Sequence, residues 1–122
     1  MIKYSTLILY LLSAFWSCSQ SDTIESLSAL NLVSNDDYYF LDVRTIKEHK
    51  MKSIPNTDCI PVQEIKERME ELNDYRDKKI IVYCRSGNRS GTATKILNEN
   101  GFNAINMIGG MNEWKGKVEK EN

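Results

Sequence analysis

One short segment constrains the fold more than any other: the run KIIVYC at residues 79–84, followed at once by a glycine-containing loop. Its β-branched and aromatic residues predict a buried strand. Beyond the loop, Ala93, Ile96 and Leu97 fall at helical spacing and predict a helix. A buried strand that passes through a tight loop into a helix is typical of α/β proteins. We therefore expect a small parallel β-sheet with helices on both faces.

The same alternation of strands and helices continues along the chain. Residues 38–43 (YYFLDV) and 104–107 (AINM) predict two further strands, and residues 45–50 predict a short helix capped by Thr45. The remaining predicted elements are a helix through Leu27, Leu30 and Val33, an extended piece between Pro55 and Pro61, a helix through Ile65, Met69 and Leu72 that ends near Asn73, and a short helix near Glu113 and Trp114. Trp114 is expected to pack in the core.

Length and charge limit the classes of protein to which this chain can belong. With 122 residues it has room for one domain. Its 16 Lys and Arg residues balance 17 Asp and Glu residues, so no basic excess favours a nucleic-acid partner. The three cysteines have no CxxC spacing and His49 is the single histidine, so a zinc cluster is not expected. We interpret His49 as a packing or surface residue and Cys59 as an inert core thiol, with a disulfide or a second redox role for Cys59 as alternatives.

The first residues differ from the rest of the chain. Residues 7–16 (LILYLLSAFW) form an apolar run that is too short to span a membrane, which takes about 20 residues, but that suits the hydrophobic region of a secretory signal. Ser17 and Cys18 follow, and a small residue before a cysteine is the pattern at which lipoprotein signals are cleaved. The bulky Phe15 and Trp16 depart from that pattern. Cleavage to a free periplasmic protein and retention as an uncleaved anchor therefore stay open.

These features predict three parts of the chain: a signal peptide at 1–17, a polar tether at 18–26 and one domain at 27–118. They also predict an exported bacterial protein that is held at a membrane by lipidation of Cys18, on the periplasmic side or otherwise outside the cytoplasm. Several acyl chains on one residue give a stable anchor, which a single chain does not.

The residues after the central strand are the candidates for chemistry. In an open α/β sheet, ligands bind at the carboxyl ends of the strands, where Cys84 lies. A curled loop with Gly87 and the start of a helix direct backbone N–H groups at the cysteine, and such a cradle lowers the pKa of a thiol. Arg85 and Arg89 attract an anionic substrate if their side chains face the mouth of the loop. The alternative is a buried structural cysteine with arginines that only solvate a loop.

The loop at residues 84–90 (CRSGNRS) resembles the active-site loop of single-domain rhodaneses, which reads C-R-x-G-x-R-S. Residues 41–45 (LDVRT) are similar to the D-V-R motif of that family, and residues 53–56 (SIPN) stand where the family has G/H-I-P-G. Gly-Phe at 101–102 and IGGMNEW at 108–114 are similar to the end of the family pattern. Four motifs in the right order and spacing make the resemblance specific, and it extends over most of the chain after the predicted signal.

The resemblance implies the rhodanese fold and a sulfurtransferase activity. The Cys84 thiolate takes the outer sulfur of a small anionic donor such as thiosulfate, releases sulfite, and carries the sulfur as a persulfide to a thiol or cyanide acceptor. Asp42 and Arg44 are expected to support the site, and the chemistry needs neither a metal nor an organic cofactor. We also expect a monomer. The substrate-binding residues implied by the family pattern are Arg85, Ser86, Gly87, Asn88, Arg89 and Ser90.

Two other functions stay open. One is a non-catalytic rhodanese-like module that binds or carries sulfur for a partner. The other is a phosphatase or arsenate reductase relative with the same fold. Those relatives use a loop one residue longer, whereas here four residues separate Cys84 from Arg89, which favours a cradle of the size of a sulfur atom.

The chain departs from the family pattern at one turn. Lys52 and Ser53 stand where Gly-His is common before Ile-Pro, and Asn56 replaces the glycine that follows, which predicts a looser turn. An ion pair between Arg44 and Glu48 is also expected, because residues at helical separation can meet.

Overall fold

The computed structural model describes residues 22–122, and the predicted signal peptide at 1–17 and Cys18 lie outside them. Its strands form one parallel sheet in the order β1-β5-β4-β2-β3. The fold class expected from the sequence is confirmed. The strands are β1 (Thr23–Glu25), β2 (Tyr38–Asp42), β3 (Asp58–Cys59), β4 (Lys79–Tyr83) and β5 (Asn103–Ile108).

Short helices connect and cover the strands. They are α1 (Ser26–Ala29), α2 (Ile46–Met51), α3 (Ile65–Arg68) and α4 (Asn88–Glu99), with 3₁₀ segments at Leu30–Leu32, Val62–Glu64, Met69–Tyr75 and Gly110–Glu113. The helix predicted from residue 65 to about residue 73 is α-helical only in α3 and continues as 3₁₀ turns. Within residues 22–122, none of the helices has the length and hydropathy that crossing a membrane requires.

Strand β4 lies at the centre of the sheet and is buried on both faces. Ile80 and Val82 pack in the cluster that includes α4, while Ile81 and Tyr83 pack in the cluster on the opposite face. Burial on both sides explains why this strand reads as a continuous apolar run instead of alternating with polar residues. Because β4 ends at Tyr83, Cys84 is the first residue beyond its carboxyl end.

The predicted polar tether at 18–26 is wrong for its last residues. Thr23–Glu25 forms strand β1, which pairs with β5 so that Ile24 lies opposite Met107. The reason is tertiary: β1 supplies backbone partners to the outer edge of β5, and Ile24 packs against the core. Ser26, which was also assigned to the tether, is 1% exposed.

Two local expectations near α2 have different outcomes. Thr45 caps the helix as predicted: its hydroxyl accepts from Glu48 N at 3.1 Å, and the Glu48 carboxylate accepts from Thr45 N at 3.2 Å. The looser turn expected at Asn56 is wrong. Asn56 adopts a φ of 60°, the left-handed conformation that favours glycine and that asparagine adopts more readily than most residues.

Candidate active site

The sulfur of Cys84 is enclosed by the loop that follows β4, and the residue is 1% exposed. Gly87 N–H donates to Sγ at 3.1 Å, and Ser90 Oγ lies 3.3 Å from Sγ. Burial by itself raises the pKa of the Cys84 thiol. Hydrogen bonds from the Ser90 hydroxyl and from the backbone N–H groups of Ser90, Gly87 and Ser86 outweigh that effect and lower the pKa below its ordinary value.

Gly87 is required by backbone conformation. It immediately precedes α4 with a φ of 113°, which residues with a side chain rarely adopt. Space does not require glycine here, because a Cβ at this position would come no closer than 3.6 Å to Ile108 Cα. The unusual φ turns the chain so that the Gly87 N–H points back at Cys84 and α4 starts beside the sulfur.

A second glycine lets another segment approach the start of the loop. Gly110 has a φ of 51°, and a Cβ on it would lie 2.5 Å from the Cys84 carbonyl oxygen and 2.6 Å from the Arg85 carbonyl carbon. The two following residues then donate to the loop: Met111 N–H to Cys84 O at 2.9 Å and Asn112 N–H to Arg85 O at 3.0 Å. This contact fixes the peptide groups at the start of the loop.

The two arginines of the loop have different surroundings. Arg89 forms a bidentate ion pair with Glu48 of α2, at 2.7 and 3.0 Å, so its guanidinium is held by a carboxylate instead of facing the mouth of the loop. The hydrogen bond from Arg89 is the main cause that lowers the pKa of Glu48 to about 2. Arg85 is exposed and forms no ion pair with any carboxylate of residues 22–122.

The expected pair of Arg44 with Glu48 is wrong, because Arg44 binds Asp42 instead. Arg44 Nε and Nη2 donate to the Asp42 carboxylate at 2.9 and 2.7 Å, and Nη2 also donates to Lys52 O at 2.6 Å. Asp42 is fully buried, so it requires this cationic partner in the interior. His49 Nδ1 lies 2.9 Å from Asp42 Oδ2, which makes His49 a polar member of this buried network.

Asp42, His49 and Cys59 also place three potential metal ligands within 4.8 Å of one another. The donor set does not suit a cation. Arg44 already donates to both oxygens of Asp42, so a metal ion there would face a guanidinium. Burial and the neighbouring Asp42 charge raise the pKa of the Cys59 thiol to about 12, which disfavours the thiolate that a metal binds. Cys59 is half-buried rather than a core residue, and within residues 22–122 its thiol forms no disulfide.

The remaining predicted residues surround the sulfur in different ways. Ser90 is fully buried against Cys84, whereas Ser86 and Asn88 are exposed on the outside of the loop. Sequence reasoning missed Asn106 of β5, whose amide oxygen accepts from the Ser90 hydroxyl and whose nitrogen donates to Gly87 O at 3.1 Å. The available signal was the amide of Asn106 between the apolar residues of the strand predicted at 104–107, because a polar group in such a place needs partners.

Comparison with known proteins identifies the family to which this domain belongs. Residues 25–117 match the rhodanese-like domain family. The chain belongs to this family. A rhodanese-related protein from Thermoplasma volcanium has a crystal structure that superposes with a TM-score of 0.74 at 33% sequence identity, covering 81% of this chain and 98% of that one. The family expected from the four motifs is thus confirmed.

Several relatives of this rhodanese-like domain have names that refer to sulfur. YrkF of Bacillus subtilis, named as a candidate sulfur carrier protein, is 38% identical over 87 residues, which are 70% of this chain and 46% of YrkF. The chain therefore spans less than half the length of that relative. The thiosulfate sulfurtransferase PspE of Escherichia coli is 29% identical over 75 residues, which are 62% of this chain and 72% of PspE.

The ion pair between Glu48 and Arg89 predicts a dependence of stability on pH. Glu48 has a pKa of about 2 in the folded protein against 4.5 ordinarily, so its contribution is fully present above about pH 4.5 and is lost as the pH falls toward 2. Glu48→Gln keeps the helix cap but removes the charge. We expect it to lower the free energy of unfolding at pH 7 by about 1 kcal/mol, because the pair is bidentate but partly screened by solvent.

Urea unfolding of the wild type and the variant at pH 7, 4 and 2.5 measures this difference. It should shrink steadily across that range. Glu67→Gln, which changes an exposed glutamate that forms no ion pair within residues 22–122, is the matched control and should show little difference at any pH. A difference between wild type and Glu48→Gln that is the same at pH 2.5 as at pH 7 would contradict the assignment.

Proposed function

We propose that this rhodanese-like domain is a sulfurtransferase that moves the outer sulfur of an anionic donor, such as thiosulfate, to a thiol or cyanide acceptor through a persulfide on Cys84. The single observation that supports it best is the position of the Cys84 sulfur, which accepts from Gly87 N–H and lies against the Ser90 hydroxyl. These donors lower the pKa of the thiol, and the thiolate is the nucleophile that sulfur transfer needs.

The proposed reaction has two displacements. In the first, Cys84 Sγ⁻ attacks the outer sulfur of thiosulfate, the sulfur–sulfur bond of the donor breaks, and its electron pair leaves with sulfite. The negative charge then lies on the outer sulfur of the Cys84 persulfide. In the second, cyanide or a thiolate attacks that outer sulfur, the persulfide bond breaks, and its electron pair returns to Cys84 Sγ. Each step conserves charge and needs no outside oxidant or reductant.

The surroundings of the loop support an anionic donor. A cavity of about 390 Å³ lies beside the loop. The charged residues that line it are Arg44, Glu48, Lys52 and Arg85. Arg44 and Glu48 are each paired with another side chain, so Lys52 and Arg85 carry the positive charge left for a ligand. The thiosulfate sulfurtransferase named among the relatives supports thiosulfate as the donor for a first test.

A second function is a sulfur carrier that accepts a persulfide on Cys84 and releases it only to a dedicated partner. The name of YrkF, the candidate sulfur carrier, favours this possibility. A phosphatase-like reaction has less support. Four residues lie between Cys84 and Arg89, and the Arg89 guanidinium binds Glu48, so it does not close over an oxyanion in the loop.

Mass spectrometry of the purified domain after treatment with thiosulfate tests the proposal. We expect the peptide that contains Cys84 to gain one sulfur atom, and to lose it on addition of cyanide with formation of thiocyanate. Cys84→Ser should gain no sulfur, whereas Cys59→Ser should behave like the wild type, because the pKa of Cys59 is raised. A persulfide that cyanide does not remove would indicate the carrier, and no persulfide at all would exclude thiosulfate as the donor.

Recruitment of the donor by charge gives a separate prediction. Arg85→Ala should lower kcat/KM for thiosulfate roughly threefold to tenfold, because one solvent-exposed, charge-assisted contact is lost. Lys115→Ala, which removes an exposed positive charge outside the loop and the cavity, is the control and should have little effect. Equal losses in the two variants would show that general surface charge, and not Arg85, recruits the donor.

We further propose that the protein is exported and held at a membrane by lipid on Cys18. The apolar run at residues 7–16 and the Ser17-Cys18 pair that follows support this location. In this arrangement four residues of the sequence, 19–22, separate Cys18 from β1, so the anchor reaches the domain at the amino edge of the parallel sheet, opposite the carboxyl edge that carries the active-site loop.

Expression of Cys18→Ser in a bacterial host and fractionation of the cells test the location. The wild type should be found in the membrane fraction and the variant in the soluble fraction, since lipidation requires the thiol of Cys18. Cys59→Ser provides the control for loss of a cysteine and should stay with the membrane. If Cys18→Ser also stays in the membrane, the lipid anchor is wrong and an uncleaved apolar anchor is favoured.

A further inference from the structure

The Ser90 hydroxyl has one hydrogen but two acceptors within reach. Its oxygen lies 3.3 Å from Cys84 Sγ on one side and 2.5 Å from Asn106 Oδ1 on the other. A hydroxyl donates one hydrogen bond at a time, so it cannot donate fully to both. The shorter distance lies on the side of Asn106, which indicates that in this geometry the hydrogen points away from the sulfur.

The orientation of the Asn106 amide follows from its other contact. Gly87 O can only accept, and it lies 3.1 Å from one end of the amide, so the NH₂ group faces Gly87 and the oxygen faces Ser90. Gly91 leaves room for this arrangement, because a Cβ at Gly91 would lie 3.3 Å from Asn106 Nδ2. The amide is therefore fixed at both ends between the loop and the first turn of α4.

We propose that Asn106 is a positioning residue that competes with the Cys84 sulfur for the single hydrogen of the Ser90 hydroxyl. When Cys84 is a neutral thiol, its S–H donates to Ser90 Oγ and the Ser90 O–H donates to Asn106 Oδ1. When the thiol gives its proton to solvent, the Ser90 O–H turns to the thiolate and leaves the amide oxygen. The S–H bond is the only covalent bond that breaks, and the inference rests on the proposed function of Cys84 as a nucleophile.

The Ser90 hydroxyl can change its hydrogen-bond acceptor as the negative charge moves during the reaction. In the persulfide the negative charge lies on the outer sulfur, so Sγ no longer attracts the hydrogen as a thiolate does, and the Ser90 O–H can return to Asn106. The hydrogen thus turns toward Sγ when the thiolate forms and away from it when sulfur has been added. Asn106 supplies the alternative partner without which the hydroxyl would stay on the sulfur.

The charged groups around Cys84 come from several elements and do not change in the variants used below. The loop contributes Arg85 and Arg89, and the pKa of Arg89 is raised chiefly by its hydrogen bond to Glu48, with smaller contributions from the Cys84 and Asp42 charges. Strand β5, which carries Asn106, contributes no titratable side chain. The packed elements also carry Lys79 and Tyr83 on β4, Asp42 and Arg44 at the end of β2, Lys47, Glu48, His49 and Lys50 on α2, Lys95 and Glu99 on α4, and Glu113 in the 3₁₀ segment after β5.

The experiment measures the rate at which iodoacetamide alkylates Cys84 as a function of pH, with the modified peptide identified by mass spectrometry. This measurement needs no sulfur donor. The proposed role of Asn106 can therefore be refuted even if sulfur transfer is observed, and sulfur transfer can be refuted even if the role of Asn106 is supported. In Asn106→Leu the hydroxyl loses its competing acceptor. We expect the midpoint of the pH profile to move to lower pH, with roughly threefold faster alkylation at a fixed pH below it, since the thiolate fraction rises while its nucleophilicity falls.

The matched control is Asn98→Leu. Asn98 is also a partly buried asparagine whose amide bridges backbone groups, with Nδ2 donating to Ala104 O at 3.0 Å and Oδ1 accepting from Ala104 N at 2.7 Å, but it does not contact Ser90. It should leave the midpoint unchanged. A merely structural role of Asn106 predicts the opposite direction from ours, because a loosened loop loses N–H donors to the sulfur and moves the midpoint to higher pH.

A double variant tests the route through Ser90. Ser90→Ala should move the midpoint to higher pH, and Asn106→Leu should have no additional effect in the Ser90→Ala background. An unchanged or raised midpoint in Asn106→Leu overturns the proposal, and so does a shift that persists without Ser90. If Asn106→Leu does not fold, Asn106→Ala removes the same amide with a smaller side chain and is held to the same outcomes.

Discussion

The backbone contact between the active-site loop and the Gly109-Gly110 turn is the constraint on which the site depends. Met111 and Asn112 bind the carbonyl oxygens of Cys84 and Arg85, so the first two peptide groups of the loop are fixed with their oxygens turned toward the turn. The later N–H groups of the loop then converge on the sulfur. Any side chain at Gly110 would collide with the loop backbone, so this contact requires glycine at that position.

Two ion pairs lie beside the active-site loop. The first joins Asp42 to Arg44, and both are buried at the end of β2. The second joins Glu48 of α2 to Arg89. Buried charges persist only with such partners, since an isolated one costs far more than its pair. The pairing leaves Arg85 as the one arginine of the loop without an ion pair within residues 22–122, and Arg85 lines the cavity where a small anion can approach.

Much of the fold could be predicted from the sequence because its signals are local. The apolar run of β4, the Thr45 cap of α2 and the helical spacing in α4 each depend on residues that are close in the chain. Strand β1 could not be predicted in this way. Thr23–Glu25 is short and mostly polar, and it becomes a strand only because β5 offers it an open edge. The ionic partner of Arg44 could not be predicted either: Asp42 is only two residues away, but the pairing follows from the burial of both side chains at the end of β2.

By itself the sequence determined that a cysteine follows a buried strand and begins a glycine-containing loop before a helix, because strand, loop and helix start are consecutive residues with strong backbone preferences. Only the tertiary structure decided what surrounds the sulfur. Arg89 meets Glu48 across 41 positions in the chain, and Ser90 meets Asn106 across 16. Such contacts arise from the order of parallel strands and the packing of helices on them, and no local spacing encodes which side chains will share that end of the sheet.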